Sequence, residues 1–143
     1  MIAALFLLAQ LAPPVAVPTQ STSAAQIAPQ DWSTLPILRL RRPASSSDLS
    51  ARDLSAFVRA EVAAGRCAAA TSSIQGWSLT IDLAVLATPA GRVRRVTPRA
   101  IHCPTVEQYA AGLVLGSARD NVDVRGALTD TWYRTNMTFA WSQ

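Results

Sequence analysis

The sequence predicts an α+β fold in which a small antiparallel sheet of three strands, a hairpin plus a C-terminal strand, packs against two helices. Two observations predict this fold. Apolar residues recur every three or four positions in two segments, as they do on one face of a helix. In two other segments they alternate with more polar residues, as they do in a half-buried strand, and a turn after the first of these leads into a third strand. The predicted order is therefore helix, strand, strand, helix, strand.

The first predicted helix begins at Ser47 or Asp48, either of which can cap it, and runs to about Ala64. Gly65 is a natural stop. The apolar stripe of this helix consists of Leu54, Phe57, Val58 and Val62. Three charged residues fall off this stripe: Arg52, Arg59 and Glu61. This pattern favours a helix that covers a sheet over a helix that lies on a membrane surface.

The period changes to two at Trp77, where apolar residues alternate with others as far as Val85. Thr88-Pro89-Ala90-Gly91 then predicts a turn, because Pro presets one turn residue and Gly permits a positive φ. A second strand, from Arg92 to about Thr97, completes the hairpin.

Two consecutive arginines, Arg94 and Arg95, lie in the second hairpin strand. Neighbouring residues of a strand point to opposite faces, so the pair does not form one binding stripe. We expect one of them to pair with an acidic neighbour such as Asp82, or to extend its stem over the core. The formal net charge is only +4, which is usual for a solvated surface. No nucleic-acid partner is predicted.

The second predicted helix opens with Pro104-Thr105-Val106-Glu107, because Pro suits the first turn and Glu107 favours the positive end of the helix dipole. The last strand, 131–141, alternates cleanly. The face expected to meet the core carries Tyr133, Thr135, Met137, Phe139 and Trp141. The opposite face carries Trp132, Arg134, Asn136 and Thr138.

The chain divides into an apolar leader at 1–25, a linker at 26–47 and the α+β domain at 48–143. The leader has an almost wholly apolar run at 2–9, closed by two prolines and followed by small residues. It is too short for an easy membrane span, so export with cleavage is favoured over a permanent anchor. Within the linker, residues 35–40 are apolar enough to lie on the domain as an edge strand.

Export implies an oxidising compartment, in which the two cysteines, Cys67 and Cys103, predict one disulfide. The bond would tie together the two helix ends beside the sheet. A metal site made of Cys67, His102 and Cys103 is the alternative, but it lacks a fourth ligand and a C-x-x-C pair.

Motifs that would indicate catalysis or cofactor binding are missing from the sequence, including a Gly-rich phosphate loop, a G-x-S-x-G elbow and H-E-x-x-H. We therefore predict no enzyme activity, no cofactor and no metal. A second class of function stays open, in which a small exported enzyme or thiol/redox protein uses Cys103 and His102. The state of the two cysteines separates these classes.

Residues 77–141 resemble the C-terminal domain of TonB-type energy transducers. The resemblance rests on an alternating strand, on "TPAGRVRRV" as turn and second strand, on "CPTVEQYAAGLV" as the helix and on "WYRTNMTFAW" as the final strand. It implies a non-enzymatic periplasmic domain that binds a short segment of an outer-membrane TonB-dependent receptor by strand addition. Energy-dependent transport across the outer membrane would be the process it serves.

The final strand is the candidate partner site, because an exposed sheet edge carries unpaired N–H and C=O groups that an extended segment can bind. The candidate edge residues are Arg134, Asn136 and Thr138. A homodimer formed through the same edge, in a structural envelope protein, is a further alternative. Membrane contact is expected only through the leader, if it is not cleaved.

Overall fold

The computed structural model describes residues 27–43 and 53–143. In these ranges the fold is α+β, with a four-stranded antiparallel sheet. The elements are, in order, α1 (Ser55–Ala63), β1 (Thr71–Ser73), β2 (Gly76–Ala87), β3 (Val93–Pro98), α2 (Pro104–Ala118) and β4 (Thr131–Trp141). The leader and the predicted cap residues Ser47 and Asp48 lie outside the described residues. The first helix begins later than predicted, at Ser55, since Asp53 and Leu54 are not helical. No helix in the described ranges is both long and apolar enough to cross a bilayer.

Strand β2 lies at the centre of the sheet. One of its edges pairs with β4 along its length, from Trp77 opposite Trp141 to Ala87 opposite Thr131. The other edge of β2 pairs with β1 along the start of the strand and with β3 along its end. Strand β4 is therefore an edge strand of the sheet.

The sheet has one strand more than the three predicted. Strand β1 folds back onto the start of β2 through Ile74 and Gln75, and Gly76 adopts a φ of 120° at this bend. A side chain at Gly76 would overlap the carbonyl oxygen of Trp141, so only Gly fits. The prediction missed β1 because its three residues are polar and all exposed, which leaves no alternation to detect.

The front face of the sheet, which meets the helices, carries the main core. Alternate residues of β2 from Leu79 to Ala87 are buried there, as are Tyr133 and Phe139 of β4. Helix α2 buries one side chain per turn against this face, and α1 contributes Val58. The buried residues of α2 are Val106, Ala110, Val114 and Ala118. The predicted inward side of β4 is thus confirmed.

The back face of the sheet is covered at one end by a segment that we call the strap, residues 28–40. Its Trp32 is buried in a small cluster with Ala84, Leu86 and Trp132. The strap then passes around the edge of β4, and its last residues, Leu38 and Leu40, pack on the front face. Trp132 belonged to the face predicted to be less apolar, and the strap is the reason that it is buried.

Residues 35–40, predicted to lie on the domain as an edge strand, pair with it at two isolated positions. Ile37 forms a parallel bridge with Arg134, and Leu40 forms an antiparallel bridge with Val122. Part of the range interpreted as a linker therefore packs against the sheet.

The junction between the helices contains the predicted disulfide. The Cα atoms of Cys67 and Cys103 lie 5.1 Å apart and both residues are buried. Beside them, the carboxylate of Glu61 accepts hydrogen bonds from Nη2 of Arg66 at 2.6 Å and from the hydroxyl of Thr105 at 2.6 Å. Glu61 is only 6% exposed, which its position off the apolar stripe of α1 did not predict.

One of the two consecutive arginines pairs with an acidic residue, as expected, but that residue is not Asp82. The β2–β3 register sets Pro98 opposite Leu83, which brings the next residue, Arg99, to Asp82 at 3.6 Å. Arg94 instead pairs with Asp130 at 2.7 Å.

Candidate functional site

The outer edge of β4 is defined by the backbone of Arg134. Its amide donates to the carbonyl oxygen of Pro36 at 2.8 Å, and its carbonyl accepts from the amide of Leu38 at 2.8 Å. Both groups therefore point away from β2. Because this orientation alternates along a strand, the amides and carbonyls of Asn136, Thr138 and Ala140 point away from β2 as well.

Two of these outward positions are occupied by the chain itself. The strap pairs with Arg134, and the amide of Ala140 donates to Oγ of Ser55 at the start of α1 at 3.2 Å. Between them, the backbone groups of Asn136 and Thr138 have no hydrogen-bond partner in the described ranges 27–43 and 53–143. We call these two positions the edge slot.

The three candidate residues of the sequence all lie on the back face, where they are exposed. Nε of Arg134 donates to the carbonyl of Leu35 in the strap at 3.0 Å, and Asn136 lies opposite Asp82 of β2. The hydroxyl of Thr138 lies 2.8 Å from that of Thr80, so the two side chains form a hydrogen-bonded pair across the strands.

A groove of about 400 Å³ adjoins the edge slot on the back face. The strap forms one of its walls with Trp32 and Ile37, and Arg134 and Asn136 contribute from β4. The guanidinium of Arg99 lies 4.4 Å from the centre of the Trp32 ring, a cation–π contact that holds the arginine against this wall.

Four charged groups line the groove: Asp31, Asp82, Arg99 and Arg134. Hydrogen bonds from Ser33 lower the pKa of Asp31, so this carboxyl is ionised at neutral pH.

Sequence reasoning found Arg134 and Asn136 but missed Trp32 and Arg99. Trp32 comes from a segment far away in the sequence, and no local pattern indicates where that segment packs.

The residues of the thiol/redox alternative lie in different environments. Both cysteine sulfurs are joined in the buried disulfide, so neither offers a free thiol. His102 is exposed and adopts a φ of 62° beside the buried Cys103. In the part of the chain that the structure describes, no three His, Cys, Asp or Glu residues are grouped so that they could hold a metal ion.

Comparison with protein-family models, with curated proteins and with solved structures finds no match to this chain.

Proposed function

We propose that this protein is a non-enzymatic periplasmic domain that binds an extended segment of a protein partner by strand addition to β4. One observation carries the proposal: the backbone groups of Asn136 and Thr138 point outward from an edge strand without a partner among the described residues. An apolar leader and a disulfide support an exported location.

The size of the edge slot limits the affinity that the backbone alone provides. Two pairing positions allow up to four hydrogen bonds, each with a net contribution of about 1 kcal/mol. About 4 kcal/mol corresponds to a dissociation constant of roughly 1 mM, so the backbone alone supports only a transient complex. Side-chain contacts with the adjoining groove supply further affinity and specificity.

The two ends of the edge slot also bear on the homodimer alternative. If two β4 strands paired antiparallel about Met137, Arg134 of one copy would lie opposite Ala140 of the other. The strap of the first copy and Ser55 of the second copy already occupy these positions. Continuous pairing would therefore stop after two positions, which favours a short segment over a second β4 strand.

The resemblance to TonB-type transducers supplies the class of partner. We take it to be a periplasmic segment of an outer-membrane TonB-dependent receptor, and the process to be energy-dependent transport. A photo-crosslinking amino acid at Asn136, introduced in cells with and without such receptors, tests this identity. A crosslinked product that depends on a receptor supports it, and products that persist without any receptor contradict it.

The strand-addition mechanism is tested by proline substitutions at neighbouring positions. Asn136→Pro removes an amide that points outward, so binding should fall sharply while thermal stability changes little. Asn136→Ala keeps the amide, so it should retain most of the binding that Asn136→Pro loses. Met137→Pro removes an amide that points toward β2 and should unfold the sheet. The mechanism is wrong if Asn136→Pro binds normally, or if it unfolds the domain as Met137→Pro does.

A further inference from the structure

We infer that the strap is an internal competitor of the partner for the outer edge of β4. While the strap is in place the edge slot has two pairing positions, and release of the strap at Trp32 adds Arg134 as a third. The inference rests on the proposed strand addition and adds its regulation. Two features of the strap carry it: the way it pairs with β4, and the unequal hold on its two halves.

The strap pairs with β4 as an added strand would. The outward amide and carbonyl of Arg134 bond to Pro36 and Leu38, each at 2.8 Å. Ile37, between these two residues, forms a parallel bridge with Arg134. Because outward positions alternate along a strand, Arg134 is the next one after Asn136. A partner segment that pairs at Arg134 as well as at the edge slot must therefore displace this part of the strap.

The half of the strap that precedes the edge, residues 28–37, depends on a single buried side chain. Trp32 is the one buried residue of this range, and Ala28 and Leu35 are partly buried in the same back-face cluster. The indole N–H of Trp32 donates to the carbonyl of Pro29 at 2.6 Å, so this hydrogen bond lies within the strap and does not join it to the sheet. Without the packing of Trp32, this half is held mainly by its hydrogen bonds at the edge of β4.

The half of the strap that follows the edge is held more firmly. Leu38 and Leu40 pack against the main core on the front face. The backbone of residues 39–41 forms two hydrogen bonds with that of residues 121–123, both at 2.8 Å. Release that begins at Trp32 should therefore stop just beyond the edge of β4 and leave the rest of the fold in place.

The closed state is the stable one in the free domain. Release exposes the indole of Trp32 and the back-face residues that it covers, Ala84 and Leu86, which costs free energy. It also separates the indole from the guanidinium of Arg99, which lies 4.4 Å from the centre of the ring. A segment that pairs at Arg134 replaces the strap's hydrogen bonds there but must offset this cost. The packing of Trp32 therefore limits weak partners to the edge slot.

Amide hydrogen exchange without any partner tests the hold of Trp32 on the strap. In Trp32→Ala the amides of Arg134 and Leu38 should exchange about tenfold faster than in the natural chain, or more, while the amides of β2 stay protected. Thr34→Ala removes an exposed side chain of the strap and should leave both rates unchanged. Unchanged rates in a folded Trp32→Ala domain would overturn the inference. Trp32→Leu takes the place of Trp32→Ala if the latter does not fold.

The length of a bound peptide tests the competition. Random hexapeptides, acetylated and amidated, that the Trp32→Ala domain retains are identified by mass spectrometry, and the best one is also made as a tetrapeptide shortened from either end. Three alternate positions span five residues, so a tetrapeptide cannot pair fully at all three. Shortening at one end should weaken binding to Trp32→Ala about tenfold more than binding to the natural chain, because two further backbone hydrogen bonds are lost only where Arg134 is open.

The length effect is compared between variants because release of the strap also removes one wall of the groove. That loss affects the hexapeptide and its shortened forms alike, so it cancels in the comparison. Thr34→Ala should show the same length effect as the natural chain. Dissociation constants come from NMR titrations, and thermal melts check that each variant is folded.

Different failures identify different errors. If shortening costs the same in Trp32→Ala and in the natural chain while the amides of Asn136 and Thr138 respond in both, the strap does not compete and strand addition stands. The inference is also wrong if the bound hexapeptide leaves the amide of Arg134 unprotected in Trp32→Ala. If no hexapeptide is retained and the amides of the edge slot do not respond, the proposed function fails and the inference fails with it.

Discussion

Glu61 is the single residue whose charge matters most at the junction between the two helices. Hydrogen bonds from Arg66 and then from Thr105 lower the pKa of its carboxyl from 4.5 to about 2. A buried carboxylate with two such partners is strongly held in its charged form. It also connects α1 with the start of α2 beside the disulfide.

This shift predicts how stability depends on pH. Because the pKa of Glu61 is lower in the folded chain, its ionised form stabilises the fold above about pH 4.5, and this stabilisation is lost as the pH falls toward about 2. Glu61→Gln should therefore unfold at lower denaturant concentration than the natural chain at neutral pH. The difference should shrink as the pH approaches 2, as measured by urea unfolding.

Asp120→Asn is the matched control for Glu61→Gln. It removes the same charge from an ion pair with Arg92 in which both side chains are more than half exposed. Such a pair contributes little to stability, so this variant should unfold like the natural chain at every pH. If Glu61→Gln also unfolds like the natural chain at neutral pH, the importance assigned to the Glu61 contacts is wrong.

Some properties of single residues could be predicted from the sequence and others could not. The inward residues of β4, such as Phe139, were predicted because alternation reports directly which side chains share a face. The burial of Glu61 was not, because it depends on Thr105, which is 44 positions away. Asn136 and Thr138 were predicted on the less apolar face. That their outward backbone groups lack a partner among the described residues depends on the positions of the strap and Ser55, which no local pattern reveals.

At the scale of elements, the turn between β2 and β3 depends most on one residue, Gly91. Gly91 adopts a φ of 83°, and its amide donates to the carbonyl of Thr88 at 2.8 Å. A side chain at this position would lie 2.5 Å from the carbonyl oxygen of Val122. The predicted turn at 88–91 therefore also serves as a contact surface for the chain after α2.

Gly91→Ala should lower the free energy of unfolding by about 1–3 kcal/mol, because it combines backbone strain with a steric overlap. Gly112→Ala in α2 is the matched control, since nothing lies within 4 Å of an added side chain there. The control should stabilise the domain by up to about 1 kcal/mol through helix propensity. Equal effects in the two variants, measured by chemical denaturation, would contradict this explanation of the turn.

The regular elements were largely predictable and the strap was not. Helix α2 and strand β4 carry strong periodic signals, and their observed bounds agree with the predicted start at Pro104 and the predicted strand at 131–141. The strap has a short apolar stretch but no period that fixes its path. Its position depends on the packing of Trp32 against Ala84 and Leu86, so it is determined only once the sheet has formed.

The whole molecule depends on a small core that the disulfide reinforces. Cys67 and Cys103 are 36 positions apart, and closing such a loop removes about 3–4 kcal/mol of unfolded-chain entropy in the chain-entropy model. This is a large share of the stability of a small domain. The bond also joins the end of the α1 region to the start of α2.

Replacing both cysteines with serine should lower the free energy of unfolding by roughly 2–5 kcal/mol. Under conditions where the variant stays folded, partner binding should persist, because neither cysteine lines the edge slot or the groove. Binding of a selected peptide, measured at low temperature beside a urea titration, checks both effects. A variant that is folded but has lost its binding would show that the disulfide shapes the edge slot, which contradicts this expectation.

The central claim is that a partner strand fills the two pairing positions of β4, Asn136 and Thr138, that have no partner among the described residues. Amide hydrogen exchange of the folded domain, followed by NMR before and after addition of a partner segment, tests it most directly. In the free domain the amides of Asn136 and Thr138 should exchange fast, while that of Arg134, bonded to the strap, should exchange slowly. Both fast amides should become protected on binding. Protection of Asn136 and Thr138 in the free domain, or fast exchange that persists in the complex, would contradict the claim.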